Sequence, residues 1–305
     1  MIHMDRRRYL QAVGISGTIS LAGCLTNSST ADAPDVTGDT LTLATATTTH
    51  DSGLLDELLP GFQDRFGTQV DTVVRGTGGA LQTARAGDCD VVIVHARPLE
   101  DEFLRTGAGI NRRQVMVNDF VVVGPADDPA NIAGEDPVTT FQRIAEAEVR
   151  FLSRGDRSGT HLRERQLWAE AGIDPSGSWY SETGQGMGNT LNLATQTEAY
   201  TLSDRGTFLN VIEDTLEAHV NYGIESPPAL LRNEYAVIPV NPARHDVAYP
   251  LAMAFVGYLT GPAQTQISEF RIADKRAFRS LTPSQEPEFG QYIPSDWQTE
   301  TNVTG

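Results

Sequence analysis

Residues 41–79 read LTLATATTTHDSGLLDELLPGFQDRFGTQVDTVVRGTGG. The stretch 41–47 is β-branched and half alternating, which predicts a strand. Apolar residues then recur at 54, 55, 58, 59, 62 and 66, the spacing of one helix face, and Gly67 ends that helix. A second strand follows over 70–74. Gly76-Thr77-Gly78-Gly79 leads into a short helix that closes near Arg85. Residues 90–94 form a third strand and 98–104 a third helix. Strands that alternate with helices in this way place the chain in the α/β class. They predict a parallel sheet with helices on both faces.

The scheme repeats downstream. An apolar strand over 119–123 is stopped by Gly124-Pro125, and a helix over 139–147 precedes a strand over 150–153. Ser158 starts a helix that runs to Ala171. Residues 180–184 precede another helix over about 187–195. A strand at 199–202 and a helix at 205–210 follow, and the chain crosses back near 235–240 into helices at 249–259 and 264–270. There is no repeat of fixed period. Two α/β lobes joined by extended crossovers predict a hinged clam, with a ligand held where the strands' carboxyl ends face each other. The expected division is 41–118 and 237–305 for one Rossmann-like lobe and 119–236 for the other.

The charge balance excludes some partners. The 305 residues carry 23 Lys+Arg against 40 Asp+Glu, a net −17, which argues against a nucleic-acid binder. Lys275 is the only lysine, and Asp outnumbers Glu. An acidic, lysine-poor surface of this kind is expected of a protein living in concentrated salt. Two cysteines cannot make a disulfide framework. No segment approaches the ~20 apolar residues that span a bilayer.

The first residues read as an address. Asp5-Arg6-Arg7-Arg8, a mildly apolar run and Leu21-Ala22-Gly23-Cys24 make residues 1–23 a secretory signal. The paired arginines resemble a twin-arginine signal, and Leu-Ala-Gly-Cys resembles a lipobox that would leave Cys24 lipidated. Residues 24–40 then serve as a polar tether. The expected location is the outer face of the cytoplasmic membrane, anchored through Cys24. Cys89, at the start of an apolar run, reads as a buried core residue rather than a nucleophile.

Polar chemistry concentrates in four turns between a strand and a helix. They are Thr47-Thr48-Thr49-His50-Asp51-Ser52-Gly53, Arg75-Gly76-Thr77-Gly78, Arg154-Gly155-Asp156-Arg157-Ser158-Gly159-Thr160 and Thr183-Gly184-Gln185-Gly186-Met187-Gly188. Each is built of hydroxyls and glycines, and each precedes a helix N-terminus, where free N–H groups and the dipole attract an anion. Any one alone is ordinary capping. Together they offer many donors and few acceptors, which suits a fully deprotonated tetrahedral oxyanion, with Arg154 as a cationic fork. The acidic total opposes this only weakly in salt, because at 1 M the Debye length is about 3 Å. Asp156 is expected to hold Arg154, Asp51 to cap its helix, and His50 to be an exposed turn residue.

These stretches, taken with Asn111-Arg112-Arg113, Asn118-Asp119-Phe120-Val121 and Ala199-Tyr200-Thr201-Leu202-Ser203-Asp204-Arg205-Gly206-Thr207, resemble the tungstate-binding proteins of ABC importers. That family lies within the type II periplasmic solute-binding proteins, and the ordered match spans about residues 41–260. The resemblance implies a two-lobed Venus-flytrap receptor holding tungstate through Thr48, Thr49, Thr77, Arg154, Ser158, Thr160 and the turn that includes Thr183, Gly184 and Gly186. Thr48 stands where the family pattern has serine, which keeps the hydroxyl but adds a methyl and stiffness at χ1. The resemblance further implies an ABC permease and its ATPase subunit as partners, no cofactor, and a monomer.

Rival readings stay open. Molybdate is nearly isosteric with tungstate. The Arg154–Thr160 pattern also resembles phosphate receptors, and sulfate is a further tetrahedral candidate. A phosphate site would want a carboxylate, Asp51 or Asp156, for the ligand's proton. A hydrolase using Ser158 and His161 would need a base aimed at the serine and an oxyanion hole, and no Gly-x-Ser-x-Gly elbow is present. The six histidines show no metal-ligand spacing.

Overall fold

The computed structural model describes residues 38–211, 216–281 and 289–297. The expected signal, Cys24 and nearly all of the tether lie outside the described residues. The first described elements are β1 (Thr40–Ala46), α1 (Thr47–Asp51), α2 (Leu54–Phe66), β2 (Gln69–Arg75), α3 (Thr77–Ala86), β3 (Val91–Val94) and α4 (Arg97–Arg105). After them come β4 (Arg113–Gly124), α5 (Pro137–Glu146), β5 (Phe151–Ser153), α6 (Gly159–Glu170), β6 (Tyr180–Glu182), α7 (Met187–Thr197), β7 (Thr201–Asp204), α8 (Arg205–Val211) and β8 (Glu217–Val220). β9 (Arg232–Pro239), α9 (Tyr249–Thr260) and α10 (Ala263–Glu269) follow, with the short strands β10 (Arg271–Ile272), β11 (Lys275–Arg276) and β12 (Arg279–Ser280).

The main sheet runs in the order β12-β4-β9-β3-β1-β2, with β7 and β8 also paired to β4. β1 pairs in parallel with both β2 and β3, as the alternating pattern predicts. The sheet as a whole is mixed, which corrects the parallel expectation. β9 pairs antiparallel with β3 and with β4. The cause is β4, a twelve-residue strand that begins six residues before the apolar run that announced it. Its first half, Arg113–Asp119, pairs with β9, and its second half, from Phe120, pairs with β7 and β8. One strand thus serves two regions of sheet, and β9 returns beside it.

Alternation along the strands decides which helix covers which face. Leu41, Leu43, Val91, Ile93 and Val237 pack with α2 and α9, whereas Ala44, Val92, Val94 and Ile238 pack with α3 and α4. In the second region Phe120 and Val122 turn toward Phe141, Phe151 and Trp168, while Val121 and Val123 face the opposite way. Trp168 meets Phe141 edge-on at 4.4 Å and Phe151 at 5.2 Å. Cys89 is buried beside Val92, and burial pushes its thiol up to about 12, the state of an inert core residue. Among the described residues no helix is long and apolar enough to cross a membrane.

Candidate functional site

The start of each site helix follows from the residues before it. α1, α3 and α7 begin after Ala46, Gly76 and Gly186, and none of these positions supplies a side-chain cap. Ordinary capping therefore accounts for only one of the four turns. At α6 the Ser158 hydroxyl accepts from His161 N–H at 3.2 Å. The extra helix α1 corrects the reading of 47–51 as an open turn. Asp51 is its last residue and does not cap the helix that follows. Its carboxylate lies against the start of α7, where a Cβ on Gly188 would be 3.6 Å from Asp51 Oδ2, and burial raises its pKa. His50 is exposed, as expected.

The turns meet. A Cβ on Gly76 would lie 3.4 Å from Asp156 Oδ2 and 3.8 Å from Ser158 Cβ, so the start of α3 rests on the turn before α6. A Cβ on Gly186 would lie 3.6 Å from Thr47 Cγ2, which places the start of α7 against α1. Arg154 ties three turns together. Its Nη2 donates to Asp156 Oδ2 at 2.6 Å and to Thr47 Oγ1 at 3.0 Å, and its Nε to the Gln185 carbonyl at 3.3 Å. Asp156 holds Arg154 as expected, and its other oxygen accepts from Ser158 N–H at 3.1 Å.

Thr48, Thr49, Thr77, Arg154, Ser158 and Thr160 are all buried, each at most 1 % exposed. Four polar atoms of this set have no hydrogen-bond partner among the described residues: Thr49 Oγ1, Thr77 Oγ1, Thr160 Oγ1 and Arg154 Nη1. A buried donor left unmatched costs about 1–3 kcal/mol, so each of the four calls for a partner.

Other expected residues are placed differently. The Thr183 hydroxyl lies 3.0 Å from Thr190 Oγ1 and accepts from Gln185 N–H at 3.3 Å. The amides of Thr183 and Gly184 donate to the carbonyls of Ser153 and Arg154, extending the β5–β6 pairing. Gly184 is exposed. These two residues build the turn and bring no free donor to the site.

The chemistry of Ser158 and His161 is also settled by geometry. Ser158 Oγ accepts from the backbone N–H of His161, and His161 Nδ1 accepts from Arg157 N–H at 3.0 Å. The imidazole is not aimed at the serine, and the hydrolase alternative gains no support.

Sequence reading missed two groups. Thr47 anchors Arg154, a role its turn alone does not announce. His95, at the end of β3, has Nε2 2.9 Å from Thr48 Oγ1 and Nδ1 2.9 Å from Asn233 Oδ1. Its partners lie 47 and 138 residues away, so no local pattern could reveal it.

A model of the PBP superfamily domain matches residues 28–263. The chain belongs to the PBP superfamily. Several relatives carry the match across most of its length. A Haloferax volcanii protein, named as a candidate ABC transporter anion-binding protein, is 48 % identical over 99 % of this chain and 93 % of its own. Tungstate-binding protein TupA of Peptoclostridium acidaminophilum is 41 % identical over 83 % of this chain and 89 % of its own. The crystal structure of the tungstate ABC transporter from Geobacter sulfurreducens superposes with a TM-score of 0.69 at 44 % identity, covering 77 % of this chain and 98 % of that one. Membership of the PBP superfamily agrees with the α/β architecture and its mixed sheet.

Proposed function

We propose that this protein is the extracytoplasmic receptor of an ABC importer and that it binds tungstate as a tetrahedral oxyanion. The observation that carries the reading is the set of four buried, unmatched donors on Thr49, Thr77, Thr160 and Arg154. They come from three separate turns that pack on one another. All four can donate to an anion's oxygens, as a dianion without protons requires. Relatives named for tungstate supply the identity of the anion. Both Asp156 oxygens already accept, from Arg154 and from Ser158 N–H, so this carboxylate is engaged in holding the turn.

In this reading the lobes comprise 41–118 with 237–305, and 119–236. Binding draws the turns of the two together by bending at the β4–β9 crossing. The protein is a monomer, tethered through lipidated Cys24 after removal of residues 1–23, and it delivers its cargo to a permease driven by an ATPase subunit. Calorimetric titration in molar salt with tungstate, molybdate, sulfate and phosphate tests this. Tungstate is expected to bind tightest, with molybdate near it and phosphate far weaker. Tightest binding of phosphate, or no binding of any tetrahedral oxyanion, overturns the proposal. Mass spectrometry of membrane-extracted protein tests the anchor, which requires a lipid-modified N-terminal Cys24.

A further inference from the structure

His95 is buried among the anion-site turns, and none of the four unmatched donors belongs to it. Its ring stacks on Tyr235, with centroids 4.9 Å apart and planes 18° apart. The orientation of Asn233 assigns the ring's tautomer. Asn233 Nδ2 donates to Asn118 Oδ1 at 2.8 Å and to Tyr235 Oη at 3.2 Å, which turns the amide oxygen toward the ring. An amide oxygen only accepts, so the proton sits on Nδ1. The neutral ring then presents a lone pair at Nε2, and the Thr48 hydroxyl donates to it. The charged groups around the ring are Arg154, Asp156 and Arg163. The two arginines oppose a second proton and Asp156 favours one. Burial is the largest influence and lowers the pKa to about 4.

A second observation places the same ring under α6. A Cβ on Gly159, the first residue of that helix, would lie 2.6 Å from His95 Cε1 and 2.8 Å from both His95 Nδ1 and its carbonyl oxygen. Part of that obstruction is backbone, so it cannot swing aside, and glycine is required. Thr160, the next residue, carries one of the four unmatched hydroxyls.

We propose that His95 is a positioning residue of the anion site: its Nδ1–H tautomer takes the Thr48 hydroxyl as donor, and its ring edge seats the start of α6. This rests on the anion-binding reading and deepens it. Thr48 then shapes the site without donating to the ligand through its side chain. Thr49 and Thr160, held in register by the same ring, do donate. The family pattern's serine becomes threonine at a position where the hydroxyl already has an internal partner.

The test uses the full chain labelled with [15N]histidine, together with Thr48→Val, Thr49→Val and Thr160→Val. Nitrogen shifts of the unliganded wild type should show His95 as the neutral Nδ1–H form from about pH 5.5 to 8. Thr49→Val and Thr160→Val should each lose about tenfold or more in tungstate affinity, as loss of a hydrogen bond to a charged group demands, while Thr48→Val, which removes the bond that His95 Nε2 accepts, should lose less than either and should shift the His95 nitrogen resonances. A charged ring or an Nε2–H tautomer at pH 7 overturns the proposal, as does a Thr48→Val loss equal to that of Thr160→Val. If wild type does not bind tungstate, the functional reading fails, and the tautomer still decides the assignment of His95.

Discussion

Arg112 and Arg154 are equally hidden from water, each 1 % exposed, yet their surroundings differ. Arg112, just before β4, donates through Nε to Glu100 at 2.7 Å and through Nη1 to the Gln291 carbonyl at 3.0 Å. Glu100 in turn accepts from Ala96 N–H at 2.8 Å, locking the start of α4. Among the described residues no buried nitrogen of Arg112 lacks a partner. Arg154 has Asp156, Thr47 and Gln185 around it, but its Nη1 is buried and unmatched. A buried arginine whose donors are all met is part of the scaffold. One with an idle nitrogen, among three idle hydroxyls, points to where a ligand's atoms go.

The contrast predicts that the two arginines fail in different measurements. Arg112→Met should produce the larger effect, a loss of about 3–5 kcal/mol in folding stability, because Glu100 is left as an uncompensated buried charge. Denaturant titration reads it, and the folded fraction should bind tungstate unchanged. Arg154→Ala should weaken tungstate binding by about 1.5–3 kcal/mol, at least tenfold, which titration calorimetry reads. Its effect on stability should be smaller than that of Arg112→Met, since Asp156 is partly exposed and keeps the Ser158 amide. If Arg154→Ala unfolds the protein and Arg112→Met abolishes binding instead, the assignment of roles is reversed.

Those roles are only half legible in the sequence. The donor turns stood out because hydroxyl and glycine cluster locally, at 47–53, 75–78, 154–160 and 183–188. Whether a donor is idle depends on partners far along the chain, so Thr49 and Thr183 looked alike in sequence. In space one is unmatched and the other bonded to Thr190. The helices and parallel strands up to residue 105 were readable from periodicity. The antiparallel pairing of β9 was not, because an apolar run carries no direction. The early start of β4 was masked by Arg113 and Gln114, polar residues at a crossing rather than in a core. Three successive threonines hid α1, since β-branched residues rarely head a helix. β8 opens with exposed Glu217 and gave no strand signal.

The smallest effect sharpens the comparison by carrying it to two buried acids. Glu100 faces Arg112 and burial raises its pKa even so; Glu164 on α6 is bonded to neutral donors, Trp168 Nε1 at 3.1 Å, Tyr180 Oη at 2.9 Å and the Ser153 hydroxyl, with Arg165 the least of its influences. Burial, the largest influence, pushes the Glu164 carboxyl up to about 7, from an ordinary value of 4.5. The folded state keeps this proton where the unfolded chain has already released it. Stability contributed at this site is thus fully present below about pH 4.5 and declines as pH rises toward 7, the reverse of a salt-bridged carboxylate. Asp204, raised by burial to about 6, adds a decline of the same sign, while His95, lowered to about 4, removes stability as pH falls below 6.5. Glu164→Gln keeps an oxygen for Trp168 and Tyr180 and has no proton to lose. Denaturation of wild type and Glu164→Gln across pH 5–8 should show a shallower fall for the variant, with the two curves diverging toward alkaline pH. Parallel curves would mean that Glu164 is ionised in the folded protein, its charge carried by the Trp168, Tyr180 and Ser153 donors.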